Sequence, residues 1–411
     1  MSKSNKQQVP KVRFTEFSGD WEKNILGKTK DVRDGTHDSP KLISEGYPLV
    51  TSKNLKENGL DMSDISYISE VDYKSINKRS EVTIGDILFA MIGTIGNPII
   101  IKQDNFAIKN VALIKNTGTV SNEFLLPLLK SDVFKKYIYI ENAGNTQKFL
   151  ALGKIREFSF HVPTTNEQTQ IGNFFQQLDK LIELQTRAVE SAEIYKKAML
   201  QKMFPQKGEK VPRVRFAGFS GDWRDVALGD LVDKSIKWSF VGGPFGSNLK
   251  AEDYTVEGVR VIQLQNIGDG EFIDDHHIYV SPEKADDLLS CNIYPNDILI
   301  AKMGDPVARC CIVPEFHDRY LMCSDGIRVV VDSSKYHSLF IYQSINLSSF
   351  REKAISVGTG STRKRINLSD LKKLELSAPS LEEQTQIGNF FEILDQQIEQ
   401  QAQKLATYQQ L

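Results

Sequence analysis

Apolar residues follow two regimes along this chain. From Ile171 they recur three and four positions apart, through Phe174, Leu178, Leu181, Ala188, Ala192 and Tyr195, apart from a polar Gln185. A second run opens with Ile387, Phe390 and Leu394, then drifts to Ile398 and Leu405. Such spacing lines one face of an α-helix, so two long helices are expected, packed antiparallel against each other. Each run has a start signal: Thr164 is followed three positions later by Glu167, and Ser380 by Glu383. This is the capping-box pattern, in which hydroxyl and carboxylate each take up an orphan backbone N–H. Elsewhere the pattern shortens to β-rich runs, Glu81-Val-Thr-Ile84, Ile99-Ile-Ile101 and Arg328-Val-Val-Val331, separated by Gly, Asn, Asp and Pro. Those runs predict mixed α/β domains.

The helical runs belong to an internal repeat. Glu-Gln-Thr-Gln-Ile-Gly-Asn-Phe-Phe occurs at 167–175 and again at 383–391, 216 positions on. Pro10-Lys-Val-Arg-Phe-Thr-Glu-Phe-Ser-Gly-Asp-Trp21 returns as Pro212-Arg-Val-Arg-Phe-Ala-Gly-Phe-Ser-Gly-Asp-Trp223, nine of twelve positions being identical at an offset of 202. Between them Gly85-Asp86-Ile87-Leu88-Phe89-Ala90 matches Asn296-Asp297-Ile298-Leu299-Ile300-Ala301 more faintly. The chain therefore reads as a tandem duplication whose interiors diverged, with a period too long for a solenoid.

Composition narrows the function class. Charged residues are 25% and hydrophobic ones 40%, as in a globular protein, and 411 residues suggest two or three domains. The polar start, MSKSNKQQVPK, lacks the apolar core of a signal peptide, and no stretch approaches the roughly 18 apolar residues that would span a bilayer. A cytoplasmic protein without membrane contact is expected. Cys291, Cys310, Cys311 and Cys323 lack CxxC spacing and read as buried free thiols. The net charge of -2 gives no whole-chain attraction to nucleic acid, so any DNA binding must come from local clusters.

Enzyme signatures are missing: there is no HExxH, no GxxxxGK[ST] and no Asn/Asp-Pro-Pro-aromatic motif. No catalytic residue and no metal site is therefore expected; Asp274-Asp275-His276-His277 alternate across a strand and converge poorly. Polar clusters are more suggestive. Gly358-Thr-Gly-Ser-Thr362-Arg363-Lys364-Arg365 places basic groups after a Gly/Ser/Thr turn, chemistry suited to phosphates and guanine edges. Its counterpart in the first half holds Asn145, Gln147 and Lys148, with amides that can pair with adenine. Thr36 and His37, Lys53 and Asn54, Ser247 and Asn248, and Gln263, Gln265 and Asn266 offer similar donors and acceptors on turns. Together these are the candidate DNA-contacting residues. Ile171, Phe174, Phe175, Leu178 and Leu181, with Ile387, Phe390, Phe391 and Leu394, are the candidate helix and partner interface.

The duplicated helix-opening segment, the two segments ending at Trp21 and Trp223, Gly35-Thr36-His37 and Gly243-Pro244-Phe245-Gly246-Ser247 together resemble the DNA specificity subunits of type I restriction–modification systems. The resemblance spans essentially the whole chain. It implies two α/β target recognition domains in tandem, 1–162 and 207–378, each followed by a helical region, 163–206 and 379–411, the helices forming an antiparallel coiled coil with pseudo-twofold symmetry. Each domain would read one half of a bipartite duplex target. Two modification subunits, holding S-adenosylmethionine, would dock on the repeated frame; restriction subunits would bring ATP and Mg, and this chain would carry no cofactor. The second copy ends at Leu411, short of a counterpart to Lys196-Lys-Ala-Met-Leu-Gln-Lys-Met-Phe204, so a shortened distal end is a further expectation. A self-sufficient DNA-modifying enzyme and a coiled-coil scaffold without DNA specificity are the alternative readings.

Overall fold

The computed structural model describes residues 9–56, 59–93, 95–142, 149–360 and 363–410. It divides into two compact units, Met1–Glu183 and Leu184–Leu411, the division falling inside the first long helix, Thr165–Met203. The second long helix is Leu381–Gln410.

Each unit is mixed α/β on one plan. In the first, the strand Glu22–Ile25 pairs antiparallel with Ser159–Val162, so that the beginning of the domain meets the strand that leads into the long helix. A four-stranded antiparallel sheet is ordered Val32–Asp34, Val111–Ile114, Ile87–Ala90, Gly96–Ile100. A three-stranded sheet centres on Tyr47–Val50, which pairs in parallel with Ala107–Ile108. In the second unit, Arg224–Ala227 pairs with Glu375–Ala378 in the same way. Its four-stranded sheet is ordered Phe240–Gly242, Gly326–Val329, Ile298–Ala301, Cys310–Ile312, and a five-stranded sheet stands beside it. The matched runs Ile87–Ala90 and Ile298–Ala301 are the buried inner strands, continuous in apolar residues because both faces are covered.

The turn before each inner strand explains the Gly-Asp and Asn-Asp pairs. Gly85 has φ +91° and Asn296 φ +70°, a region that Gly and Asn tolerate. Asp86 and Asp297 then turn their carboxylates inward, accepting from the Thr83 and Tyr294 backbone N–H groups, both at 2.8 Å. Burial pushes the Asp297 carboxyl up, against the pull of Arg328 at 2.6 Å. The same arrangement overturns one expectation: residues 81–84 are the turn held by Asp86, and the strand begins at Ile87.

The two repeated segments meet in each unit. Arg13 grips Glu167 through Nε and Nη2, both at 2.7 Å, and Arg215 grips Glu383 at 2.7 and 2.8 Å. The same guanidiniums donate to the carbonyls of Ser18 and Gly19, and of Ser220 and Gly221, in the turn before each tryptophan. The next residue, Gln168 or Gln384, accepts from the backbone N–H of Ser121 or His337 at the head of a domain helix, while its amide donates to Pro163 or Pro379. Gly172 and Gly388 let those helices touch: a Cβ would stand 2.8 Å from Glu123 Cβ in one unit and 2.4 Å from His337 Nδ1 in the other. Each α/β domain is thus clamped to the first turns of its helix by the same four residue types.

This clamp corrects the capping-box expectation in part. Ser380 Oγ does accept from the Glu383 N–H at 3.4 Å, but both glutamates are spent on arginines rather than on their own caps. The helix phase differs too. Leu178 is buried, while Phe174 and Leu181 are 46% and 47% exposed, and Tyr195 faces outward as well. The inward stripe runs through Ile171, Phe175, Leu178, Ile182 and Gln185. In the second helix Ile387, Phe391 and Leu394 enter the core of their own unit, with Phe390 at its edge. Within the second unit Gln185 Nε2 donates to the Gln401 carbonyl at 2.9 Å and Lys196 pairs with Asp395 at 2.5 Å, so the two helix segments run in opposite directions there.

Candidate nucleic-acid interface

In the first unit the candidate loops converge on the ends of the inner strands. A Cβ on Gly35 would lie 2.3 Å from the Ile108 carbonyl oxygen, so only glycine lets the chain pass this close. Thr36 then bridges Lys109 in parallel, and the Asn110 N–H donates back to the Thr36 carbonyl at 3.1 Å. Asn110 takes φ +53° and sets its side chain against His37. His37 lies between Asn110 Oδ1 at 2.7 Å and Asp34 Oδ2 at 2.9 Å, with Arg79 on the other oxygen of Asp34. The hydrogen bond to Asp34, then that to Asn110, raises the imidazole pKa and favours the cation. Both ring nitrogens are thereby engaged within the chain. Ser52 Oγ reaches the Asn110 carbonyl at 3.4 Å, and the adjacent Lys53 pairs with Asp64 at 3.0 Å on the surface.

The second unit builds the same corner from different residues. Gly243 is again obligatory, since a Cβ would fall 1.7 Å from the Cys323 carbonyl oxygen. The loop that follows leaves Phe245, Ser247 and Asn248 exposed, closed by a 2.8 Å bond from the Asn248 N–H to the Phe245 carbonyl. Gln263 and Gln265, joined by a 3.0 Å amide bond, line a depression of about 290 Å³ with Ser324 and Asp325. The ribbon Lys364–Arg365 pairs with Met303–Gly304, and Arg365 donates to Asp325 at the rim of that depression. Arg309 ties in by donating to the Leu264 carbonyl at 2.9 Å. Of the neighbouring basic residues, Arg363 is exposed and Lys364 half-buried. The glycine loop, the two glutamines and the basic ribbon, far apart in sequence, form one face.

Two candidates are braces rather than readers. Asn54 is buried, its Oδ1 accepting from Thr51 N–H at 3.0 Å and its amide donating to the carbonyls of Asp61 and Asp64. Asn266 repeats this with the Gln263 N–H and the carbonyls of Ile273 and Asp275. A buried amide with its donors and acceptor used internally has nothing left for a base edge. Asn145, Gln147, Lys148 and Thr362 lie outside the described residues. Conversely, Asn110, Arg79 and Asp325 belong to these corners and were not singled out from the sequence. The Lys109-Asn110 and Ser324-Asp325 turns ahead of buried strands were the available signal. Among the described residues no cluster of metal-ligating side chains occurs, and no helix is long and apolar enough to cross a membrane.

Comparison with known proteins matches this duplicated plan. A family model described as type I restriction modification DNA specificity domain matches twice, over residues 22–193 and 221–407. The putative type I restriction enzyme MjaX specificity subunit of Methanocaldococcus jannaschii is 25% identical over 410 residues, covering 96% of this chain and 91% of the relative. The type I restriction enzyme MjaVIII specificity subunit of that organism is 18% identical, covering 93% and 85%. The crystal structure of a type I restriction–modification system S subunit from M. genitalium shares the fold with a TM-score of 0.61, 16% identity and coverage of 98% and 96%. A chain from a structure of type I R-M complex assembly and conformational transition follows with 0.54, 17% identity and 95% of each chain. This chain belongs to the type I restriction modification DNA specificity family and carries the family's domain twice.

Proposed function

We propose that this chain is the non-catalytic DNA specificity subunit of a type I restriction–modification complex. Its recognition domains, 1–162 and 207–378, each read one half of a bipartite duplex, and its helical regions, 163–206 and 379–411, form an antiparallel coiled coil that sets the distance between halves. The clamp of arginine, glutamate, glutamine and glycine carries this reading: it is the same in both units while the loops it positions differ, as needed when one kind of partner must face two different half-sites. Gln185 meeting Gln401, its own counterpart 216 positions on, supports a pseudo-twofold relation. Two modification subunits would dock on the repeated frame. They would bind S-adenosylmethionine, flip an adenine and methylate it at N6, and restriction subunits would add ATP- and Mg-dependent cleavage. The complex would act in the cytoplasm, where its DNA lies.

Arg363→Ala and Lys364→Ala test the second reader. In the complex with its modification subunits, loss of a base contact should weaken specific binding by about 1–3 kcal/mol, and loss of a phosphate contact should lower the salt slope by about one. Binding and salt dependence unchanged in both variants would remove the ribbon from the interface.

A further inference from the structure

Two side chains at matching places in the sheets meet the turns beside the candidate corners. In the first unit Ile87 pairs with Ile100 and Leu88 with Ile99; in the second, Ile298 pairs with Ile312 and Leu299 with Cys311. Ile99 and Cys311 are therefore counterparts, and two residues before each stand Asn97 and Arg309. Asn97 Nδ2 donates to the Leu55 carbonyl at 3.2 Å, directly after the turn braced by Asn54. Arg309 Nη2 donates to the Leu264 carbonyl at 2.9 Å, in the turn braced by Asn266.

These bonds leave both side chains with hydrogen-bonding capacity unused. Arg309 is half-buried, and its Nε is buried without a partner. Among the described residues no carboxylate pairs with it, whereas the buried Arg260, Arg328 and Arg351 of the same unit each hold an aspartate. A partly desolvated guanidinium without a counter-charge is a cost to the folded state. The backbone carries a second cost at the same place. Ala308 takes φ +62°, which residues with a Cβ rarely adopt, fixed by its N–H donating to the Ala301 carbonyl at 3.1 Å while the Ala301 N–H donates to the Arg309 carbonyl at 2.8 Å. A Cβ on Gly304, in the basic ribbon, would come within 3.3 Å of Arg309 Nη1, so the glycine leaves room beside that nitrogen. Asn97 is also half-buried, at φ +49°, and among the described residues no donor reaches its Oδ1.

We propose that Asn97 and Arg309 are specificity-determining residues at one shared position of the two domains, Arg309 reading a guanine in one half-site and Asn97 an adenine in the other. The assignment rests on the role of the chain as a DNA specificity subunit. An arginine fork matches guanine O6 and N7, and a carboxamide matches adenine N6 and N7. Each side chain is held by one donor to a turn of its own corner: Leu264 lines the depression with Gln263 and Gln265, and Ser52, in the Asn54 turn, reaches Asn110. The remaining donors, and Oδ1 of Asn97, are thereby positioned before DNA arrives, which spares side-chain entropy on binding. One position with two chemistries is what a duplicated scaffold needs to read unlike half-sites.

The test uses the full chain in complex with its modification subunits, and duplexes in which the motif mapped for the wild-type chain is changed one base pair at a time. Arg309→Ala should reduce discrimination by about fivefold or more at one G·C pair of one half-site, and Asn97→Ala at one A·T pair of the other, with all other positions discriminated as before. Arg309→Lys keeps the charge and the stem but lacks the fork, so it should lose the same G·C preference while guarding against loss of fold. Affinity that falls alike for every duplex would make the two side chains ties for their turns and overturn the proposal. Relaxation of both variants in the same half-site, or at the other kind of base pair, would overturn it too. If the wild-type complex itself binds all duplexes equally, the role as a specificity subunit fails, and not this assignment alone.

Discussion

Replacing Glu383 by glutamine isolates the clamp with little change of shape. The carboxylate is 1% exposed and takes two charge-assisted bonds from Arg215, whose side chain is 14% exposed. Breaking a fully buried ion pair from one side destabilises by about 3–5 kcal/mol, chiefly because the surviving charge is stranded. Here Arg215 keeps two carbonyl acceptors, Ser220 and Gly221, and some access to water, while the glutamine retains one acceptor and turns an N–H toward Nη2. An effect of about 2 kcal/mol follows. For a unit the size of Leu184–Leu411 that lowers the melting temperature by about 4–8 °C, read by calorimetry on the full chain. Arg215→Met combined with Glu383→Leu should lose less than the two single changes together, since neither charge is then left alone. A Glu383→Gln shift below about 1 °C, or strict additivity in the pair, would refute the clamp as a stabilising element.

Other positions give independent checks. Gly388→Ala should destabilise by about 1–2 kcal/mol, because a Cβ 2.4 Å from His337 Nδ1 outweighs the gain in helix propensity; a more stable alanine variant by thermal melting would contradict the close approach. Asn266→Ala should lower stability by about 2 kcal/mol and weaken DNA binding alike for all sequences, whereas a change in base preference at one position would make Asn266 a reader after all. Burial pushes the Cys311 thiol up to about 12 and Cys323 up to about 11, so at pH 8 alkylation of folded Cys311 should be on the order of a thousandfold slower than in denatured chain. By the same shifts, stability should fall as pH rises above the ordinary thiol value near 9, where the unfolded chain releases protons the folded one keeps; alkylation at equal rates in both states would contradict this.

The duplication, both helix starts and the α/β character were legible because they rest on local pattern. The clamp was not. Arg13 and Glu167 stand 154 positions apart, and Glu167 three residues after a threonine fits a cap just as well until its partner is known. Helix phase failed at Phe174 and Phe175: two adjacent rings allow two stripes, and only packing selects the one through Phe175. Asn54 and Asn266 have the chemistry of base readers and the burial of braces, a distinction that depends on the carbonyls curling around them. The two loop corners could be picked out only as separate loops, through Gly35-Thr36-His37 and the Arg363 cluster. Their assembly with Asn110 and Asp325 depends on strand pairing across the whole domain.

The central claim is that this chain directs modification to a split DNA target. It is tested most directly by mapping N6-methyladenine across the genome of cells that carry a type I modification subunit, with and without this chain, and with residues 22–162 exchanged for those of another specificity subunit. The account predicts a bipartite motif methylated only when the chain is present, one half of which changes on the exchange while the other half stays. Methylation that is indifferent to the chain, although it co-purifies with the modification subunit, or an exchange that alters both halves, would contradict it.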